Sequence, residues 1–370
     1  MKITEIRTIR VDIPTRRPHA MAFGTVTLQN FVIVRMRTDA GLEGLGEAAI
    51  PGGPTWNEES AETVQTVIDR YLAPILVGQD PFQVERVVRE MDRAAKGNHF
   101  AKAALEFACF DLMGRALGVP VSALLGGVVR DRVPYSWSLA TGDADQEIAE
   151  ARTLADRGSL LFKVKVGVRP AAEDLDRLER IAAALPPPIK VRADANQGWD
   201  EPTTLRLLPR LEGSGLDLLE QPVARWNLAA MARITAASRL PIMADESVGT
   251  IHDCLEAARL HIAHVWSLKL TKVGGLLRAK QAAAIAEAAG VPCYVGNMIE
   301  TGIGTAAYAH FCASTPIVTE GCELFGPLLL ADDLTREGIR YQDGHVLVPE
   351  GPGLGVTLDE AKLERYARRG

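Results

Sequence analysis

The segment LFKVKVG (161–167) carries two lysines, two positions apart, in a run that otherwise has the apolar character of a buried β-strand. Because residues i and i+2 of a strand lie on the same face, Lys163 and Lys165 point to the same side. Burial of two neighbouring ammonium groups is unfavourable unless other charges compensate them. The segment therefore predicts a strand whose face belongs to a charged site.

Segments of this kind recur from about residue 133 onward. Eight short apolar runs alternate with Ala- and Leu-rich stretches of helical periodicity, and polar residues near their carboxyl ends follow one another at intervals of 24 to 31 residues. One strand, one helix and two loops need about this length of chain, so the interval predicts repeated βα units, eight of which close into a (β/α)8 barrel. The eight runs are PYSWSLA (134–140), LFKVKVG (161–167), IKVRADAN (189–196), LDLLEQPV (216–223), LPIMADES (240–247), HVWSLKLTK (264–272), VPCYVGNM (291–298) and TEGCELFG (319–326).

The two ends of the chain have a different pattern. Residues 1–50 alternate polar and apolar side chains as antiparallel strands do, and residues 59–117 space apolar side chains at threes and fours as helices do. Strands followed by helices predict an α+β unit. The final stretch, residues 343–370, combines a strand-like start with a helical end and is expected to pack on that unit. We predict an N-terminal α+β domain at 1–127, a barrel domain at 128–325 and a C-terminal segment at 326–370.

Composition narrows the class of protein. The 370-residue chain is 47% hydrophobic and 24% charged, with a net charge of −6, which is typical of a globular protein and argues against a basic nucleic-acid-binding surface. Its five cysteines form no CxxC pair, which favours a reducing compartment. No apolar run reaches the ~18 residues of a membrane span, and the first residues lack the apolar core of a signal peptide. We expect a cytoplasmic protein with neither nucleic-acid nor membrane partners.

Carboxylates end three successive predicted strands, at the rim where such barrels carry their active sites. Asp194, Glu220 and Asp245 would converge there, and converging carboxylates repel one another unless a cation lies among them. Oxygen ligands suit Mg²⁺ or Mn²⁺, and the absence of Cys and His at these positions argues against zinc. A single strand-end Asp could instead cap a helix or lie in a solvated loop. Three carboxylates at the ends of three successive strands favour a metal site. Glu246 would point away from it if its strand continued.

Lysines flank the predicted metal site. Lys165 and Lys269 would lie on opposite sides of the ion, and a divalent cation together with a second ammonium group lowers the pKa of a lysine. Such a lysine can give or take a proton at the α-carbon of a carboxylate substrate. Lys163 is interpreted as an electrostatic partner that also binds the substrate carboxylate. A Schiff-base lysine is the alternative, but it leaves the three carboxylates unexplained.

Five motifs together resemble the enolase superfamily, and the Lys-x-Lys strand resembles its muconate-lactonizing-enzyme subgroup. The resemblance covers essentially the whole chain. It implies a modified TIM barrel with an N-terminal capping domain that the C-terminal tail completes. The motifs are, in chain order, KVKVG, VRADANQGW, LLEQPV, MADES and SLKLTKVGG.

Position by position, the resemblance implies a role for each charged strand end. One divalent ion per active site, Mg²⁺ or Mn²⁺, would be bound by Asp194, Glu220 and Asp245, with Asn196 supporting it. Lys165 would be the acid/base. The implied catalytic residues are Lys163, Lys165, Lys269 and Glu323.

Finer motifs resemble muconate cycloisomerases, enzymes of catechol (β-ketoadipate) degradation. The implied reaction converts cis,cis-muconate, a small dicarboxylate, to muconolactone: one carboxylate adds to a double bond of the same molecule, the metal stabilises the enolate, and Lys165 protonates the α-carbon. No redox cofactor is needed. A homo-oligomer is implied, with an octamer as one option. The motifs are PGGPTW (51–56), GNHFAKAALE (97–106), SWSLATGD (136–143), NMIETGIGT (297–305) and ELFGPLLL (323–330).

Other reactions use the same scaffold. N-succinylamino acid racemases and o-succinylbenzoate synthases stay open as alternatives. Dipeptide epimerases usually carry an Asp-x-Asp pair on the eighth strand, where this chain has CELFG (322–326). A non-catalytic relative is a remote alternative, because this chain keeps all six expected lysine and ligand positions.

Two segments rich in Gly, Pro and small residues are expected to close over the barrel mouth: PHAMAFGT (18–25) and IPGGPTWN (50–57). A lid that excludes water protects a reactive intermediate. Candidate contacts to substrate are His19, Trp56 and Asn297. The alternatives are a surface position for His19 and ordinary aromatic packing for Trp56.

Overall fold

Three antiparallel strands begin the chain in the computed structural model, which describes residues 1–368: β1 (Ile3–Met21), β2 (Gly24–Thr38) and β3 (Glu43–Pro51). β1 and β2 stay paired to their shared end, where Met21 lies opposite Gly24. The predicted lid segment at 18–25 is therefore the tip of a β-hairpin. This tip is tied to the barrel, since the Ala20 N–H donates to the carbonyl oxygen of Ala140 (3.0 Å).

Helices follow the sheet, as the change of period predicts. The longest, α4, is buried over most of its surface and ends at Gly118, which adopts a left-handed conformation (φ 70°) that glycine tolerates. The predicted helix at 59–76 is interrupted by a π-helical turn. The elements are α1 (Ala61–Val67), the π-helical turn Ile68–Leu72, α2 (Ala73–Leu76), α3 (Val84–Ala94), α4 (His99–Leu117) and α5 (Val121–Leu124).

β3 packs against α4 at unusually short range. Gly44 and Gly46 make this possible, because a Cβ at position 46 would overlap the carbonyl oxygen of Ala104, and one at position 44 would lie 2.6 Å from Cγ of Leu112. A side chain at either position would push the sheet away from the helix.

Gly46→Ala is expected to lower the free energy of unfolding by about 1–3 kcal/mol, because the added methyl group cannot be accommodated without moving α4. Urea denaturation measures the change. Gly213→Ala is the matched control, since a Cβ there meets no atom within 4 Å. Equal stabilities for the two variants would contradict the close-packing interpretation.

Eight parallel strands, neighbouring one another in chain order, form the predicted barrel. A bridge between Tyr135 and Cys322 joins the first and last edges. All eight predicted runs extend past the carboxyl ends of their strands; the run at 264–272, for example, is a strand only to Leu268, and a short helix begins at Leu270. The strands are β5 (Ser136–Leu139), β6 (Leu161–Lys165), β7 (Lys190–Asp194), β8 (Leu218–Glu220), β9 (Ile242–Ala244), β10 (Val265–Leu268), β11 (Cys293–Val295) and β12 (Val318–Cys322).

Helices connect the barrel strands, as expected for βα units. They are α6 (Ala144–Ala155), α7 (Ala171–Ala184), α8 (Glu201–Gly213), α9 (Leu228–Ala237), α10 (Ile251–Leu260), α11 (Leu270–Val273), α12 (Leu276–Ala288) and α13 (Gly302–Ala313), and the short α14 (Gly326–Leu329) follows the last strand. Within residues 1–368, helices long and apolar enough to traverse a lipid bilayer are absent.

The tail returns to both parts of the molecule. Its strands β13 (Tyr341–Gln342) and β14 (His345–Leu347) form a small sheet with β4 (Arg132–Pro134). Its last helix, α15 (Glu360–Tyr366), precedes a bridge between Ala367 and Val11 of β1. The tail thus completes the N-terminal domain, as the fold class predicts. The domain bounds at 127 and 325 stay predictions, and residues 369–370 of the C-terminal segment lie outside the described part of the chain.

Two buried glutamates of the N-terminal domain cap barrel helices. Glu106 of α4 accepts hydrogen bonds from the backbone N–H groups of Leu276 and Leu277 (3.2 Å to the latter) at the start of α12. Glu47 of β3 accepts one from the N–H of Thr301 (2.9 Å), just before α13. Burial raises the pKa of each carboxyl to about 8. The domains therefore meet through carboxyl groups that are hard to ionise.

The raised pKa of Glu106 predicts a pH-dependent stability. Its pKa is about 8 in the folded protein against an ordinary value near 4.5, so the folded state holds an extra proton between these pH values. Stability should fall as pH rises from about 4.5 to 8. Glu106→Gln should make this slope shallower, by at most about 1.4 kcal/mol per pH unit, in urea denaturation between pH 5 and 8. The exposed Glu287→Gln is the control. An unchanged slope in Glu106→Gln would contradict the assignment.

Candidate functional site

The barrel brings the predicted charged residues together in one buried row. In the register of three adjacent strands, Lys165 lies opposite Asp194, and Asp194 lies opposite Glu220. Asp245 follows the end of the next strand, β9. All four side chains are buried. The convergence follows from parallel strands whose carboxyl ends share one rim.

Lys163 and Lys165 are compensated by carboxylates, as the sequence requires. Nζ of Lys163 lies 2.8 Å from Oε2 of Glu220, 2.7 Å from Oε1 of Glu323 and 3.4 Å from Oδ2 of Asp194. Nζ of Lys165 lies 2.6 Å from Oδ2 of Asp194. The two lysines therefore share Asp194 but have otherwise separate partners.

Asp245 forms ion pairs with two further lysines. Nζ of Lys269 lies 2.7 Å from its Oδ2, and Nζ of Lys272 lies 2.6 Å from its Oδ1. Lys272 also donates to the carbonyl oxygen of Ser267 (2.9 Å). Sequence reasoning missed Lys272, although its spacing of three from Lys269 is the signal of one helical face: Lys269 directly precedes α11 and Lys272 lies within it.

Asn196 links the two halves of the cluster. Its Oδ1 accepts a hydrogen bond from Lys165 (3.1 Å), its Nδ2 donates to Oε1 of Glu246 (3.3 Å), and its backbone N–H donates to Asp194 (2.9 Å). Its left-handed backbone (φ 38°) is one that asparagine tolerates better than most residues. Glu246 does not point away from the site as expected, since β9 ends at Ala244 and the alternation of a strand stops there.

Burial and charge oppose each other in this cluster. Burial alone would lower the pKa of Lys163, but Glu220 and Glu323 outweigh it and raise that pKa well above its ordinary value. Asp245 likewise outweighs burial and raises the pKa of Lys269. The lowering of the pKa that was expected for Lys269 is therefore not produced by the protein's own charges. Burial, reinforced by Asp194, raises the pKa of Glu220 to about 8.

The donor set fits a hard divalent cation. Among the described residues 1–368, Oε1 of Glu220 and Oε2 of Glu246 are buried and meet no hydrogen-bond donor. Buried oxygens without donors are rare unless something else binds them. Among residues 1–368, no three acidic, histidine or cysteine side chains surround one point as ligands do. Lysine ammonium groups lie against the carboxylates instead. The ligand roles of Asp194, Glu220 and Asp245 therefore remain a proposal.

A small cavity opens onto this cluster. Its lining combines polar and apolar side chains, which we call its polar and apolar walls, so the cavity suits a small molecule with both charged and hydrocarbon parts. The polar wall consists of His19, Lys165, Asn196, Lys269, Asn297 and Glu323, and the remaining lining residues are Met21, Phe23, Pro51, Trp56, Met298, Ile299 and Phe325.

The three candidate substrate contacts, His19, Trp56 and Asn297, all line this cavity. A surface position for His19 is wrong: it is 1% exposed, because the β1–β2 hairpin carries it over the barrel, and its Nδ1 has no hydrogen-bond partner. Burial lowers the pKa of His19 well below its ordinary value. Trp56 comes from the loop after β3, and Asn297, after β11, donates to the carbonyl oxygen of Glu323.

Comparisons with known proteins agree along the whole chain. Residues 3–126 match the family model "Mandelate racemase / muconate lactonizing enzyme, N-terminal domain", and residues 146–362 match "Enolase C-terminal domain-like". A chloromuconate cycloisomerase of Pseudomonas sp. (strain P51) is 45% identical over 369 residues, 100% of both chains. Muconate cycloisomerase 1 of Pseudomonas putida is 43% identical, with 97% of this chain and 96% of that protein covered.

A solved structure is equally similar. The muconate lactonizing enzyme of Pseudomonas fluorescens, crystallised with muconolactone, superimposes with a TM-score of 0.98 at 44% identity, with 99% of each chain covered. At this identity the likeness extends from the fold to the sequence of the whole chain.

Proposed function

The chain belongs to the mandelate racemase/muconate lactonizing enzyme family of the enolase superfamily, and on this premise we propose that it is an isomerase that converts cis,cis-muconate to muconolactone in aromatic degradation. The observation that carries the proposal is the buried row of Lys165, Asp194 and Glu220 beside a small cavity with one apolar wall. A cationic wall with carboxylates behind it suits a dicarboxylate substrate in an acidic protein.

The chemistry needs one proton for each turnover. A carboxylate oxygen of muconate adds to a double bond of the same molecule, so a C–O bond forms and a C=C π bond is lost. The α-carbon next to the other carboxylate then takes up a proton. A dianion becomes a monoanion, and no redox cofactor takes part.

The site residues divide this work by position. Lys165 borders the cavity and gives the proton. Lys163 is buried and interacts electrostatically with the substrate carboxylate. Lys269 also lines the cavity as a second cation, and Glu323 pairs with Lys163 at 2.7 Å. Proton transfer by a positioned side chain typically contributes 10²–10⁴-fold to a rate.

Metal dependence is typical of the family. We assign the binding of one Mg²⁺ or Mn²⁺ to Asp194, Glu220 and Asp245, with Asn196 in support; when bound, such an ion supplies positive charge to the substrate carboxylate. The support for this assignment is the oxygen-only donor set and the unpaired Oε1 of Glu220.

The alternatives on the same scaffold are less well supported. The relatives described above are named for muconate or chloromuconate chemistry. The segment CELFG (322–326) offers one carboxylate, Glu323, which is paired with Lys163, so it does not present an acidic pair to a substrate ammonium group.

Chlorinated muconates are a second substrate class. The apolar wall, which includes Met21, Phe23 and Phe325, can cover a chloro substituent without an unpaired polar atom. The first relative described above is a chloromuconate cycloisomerase. The ratio of kcat/KM for chlorinated and unsubstituted muconate measures which substrate the wall favours.

We further propose a cytoplasmic homo-oligomer, an octamer being one option. All five cysteines are buried and free, as expected in a reducing compartment. Light scattering after size exclusion measures the number of subunits.

The proposal is tested by adding cis,cis-muconate to purified protein with Mn²⁺ and following its ultraviolet absorbance. We expect the absorbance to disappear, and to persist when a chelator replaces the metal. Persistent absorbance in the presence of Mn²⁺, with turnover of N-succinylamino acids instead, would overturn the proposed substrate.

A further inference from the structure

Trp56 connects the N-terminal domain to a lysine of the barrel. It lies in the loop between β3 and α1, and its ring centroid is 4.5 Å from Nζ of Lys269. Its ring also packs against Phe100 at the start of α4, with centroids 6.3 Å apart. An ammonium group at this distance from an indole face is attracted by the ring's negative face.

Lys269 is confined on its other sides as well. Its Nζ also lies 2.7 Å from Oδ2 of Asp245. Its alkyl chain passes directly over Gly296, where a Cβ would lie 2.6 Å from Cε of Lys269. A carboxylate, a glycine and an aromatic face thus define one position for this ammonium group.

Lys165 is held differently. Its Nζ is bound by the oxygens of Asp194 and Asn196, and within residues 1–368 no aromatic ring lies over it at cation–π distance. The two lysines that line the cavity therefore differ in a way that the strand pattern does not reveal: Lys165 has polar partners alone, and Lys269 is packed under an indole.

We propose that Trp56 is a positioning residue that fixes Lys269 as a stationary cation facing the substrate, so that proton transfer falls to Lys165. The inference rests on the proposed function for its kinetic consequence. Without the ring, Lys269 is free to turn toward the other nearby carboxylates, Glu246 and Glu323, which attract it electrostatically. Because Trp56 belongs to the loop after β3, the N-terminal domain completes the charged site only when this loop is in place.

The test separates the aromatic face from mere bulk. Trp56→Phe keeps a ring over Lys269, and we expect its kcat to stay within about threefold of the wild type. Trp56→Leu removes the ring. We expect its kcat to fall about tenfold or more, with KM changed less than threefold. Trp226→Leu is the matched control, because Trp226 is 79% exposed. A Trp56→Leu enzyme with wild-type kcat would overturn the proposal.

A second measurement needs neither substrate nor turnover. In each background, the emission of Trp56 is the difference between the spectrum of the protein with Trp56 and that of the same protein with Trp56→Phe. We expect this difference to change in the Lys269→Met background, because the cation next to the indole is gone. We expect it to stay the same in the Lys165→Met background. No change on Lys269→Met would overturn the positioning role. A changed spectrum in a protein that does not turn over muconate would instead overturn the proposed function and leave the positioning of Lys269 intact.

Discussion

Lys165→Met is expected to lower kcat for muconate about a thousandfold or more while leaving the affinity for Mn²⁺ within about threefold. The reason is that Lys165 borders the cavity and is the proposed proton donor, and loss of a positioned acid removes up to about 10⁴-fold of a rate. Methionine keeps most of the side-chain volume, so the walls of the cavity should stay in place. Absorbance assays measure kcat, and calorimetry measures metal binding.

Lys190→Met provides the matched control. Lys190 begins β7, where its side chain is 58% exposed and pairs with Asp217, so the same substitution there should leave kcat unchanged. Full activity of Lys165→Met would contradict the assigned role. A joint loss of activity and of Mn²⁺ binding would show that Lys165 acts on the metal site rather than on the substrate.

Glu220→Gln is expected to weaken Mn²⁺ binding at least about 100-fold and to abolish turnover at ordinary metal concentrations. Glu220 lies in the middle of the carboxylate row, and its Oε1 has no hydrogen-bond donor. Glutamine has nearly the same shape and can still accept a hydrogen bond from Lys163, so the fold should survive while one anionic ligand is lost.

Glu320→Gln serves as the control for that experiment. Glu320 pairs with Arg192 on the barrel and has no contact with the cavity, so its substitution should leave metal affinity unchanged. Calorimetric titration with Mn²⁺ measures the metal affinity of both variants. Unchanged affinity in Glu220→Gln would remove this residue from the ligand set.

The barrel and the charged row could be predicted because both depend on local patterns. Parallel strands in chain order place their carboxyl ends at one rim. The recurring interval therefore predicted that Lys165, Asp194 and Glu220 lie on neighbouring strands, and the structure places them in adjacent register. The alternation of a strand also predicted correctly that Lys163 and Lys165 share a face, since both contact Asp194.

Strand ends limited the prediction. β9 ends at Ala244, so Asp245 and Glu246 follow no alternation, and Glu246 turned out to be buried next to Asn196. β10 ends at Leu268, and the run that was expected to continue as a strand becomes a helical turn that brings Lys272 onto Asp245. Strand ends depend on neighbouring strands, which local sequence does not encode.

The sequence predicted that two N-terminal segments close over the barrel mouth, but not the individual contacts that they make there. The burial of His19 depends on a hairpin that reaches across the barrel, and the position of Trp56 over Lys269 joins residues far apart in sequence. Neither contact has a local signature, because each follows from how the domains dock. The docking itself depends on buried glutamates such as Glu106, whose hydrogen bonds go to a helix 170 residues away.

The most direct test of the central claim is an anomalous difference map from crystals of the wild-type protein grown with Mn²⁺. The account predicts one strong peak bound by carboxylate oxygens of Asp194, Glu220 and Asp245, with Lys165 and Lys269 on opposite sides of it. A protein that is active with Mn²⁺ but shows no peak among these three residues would contradict the account.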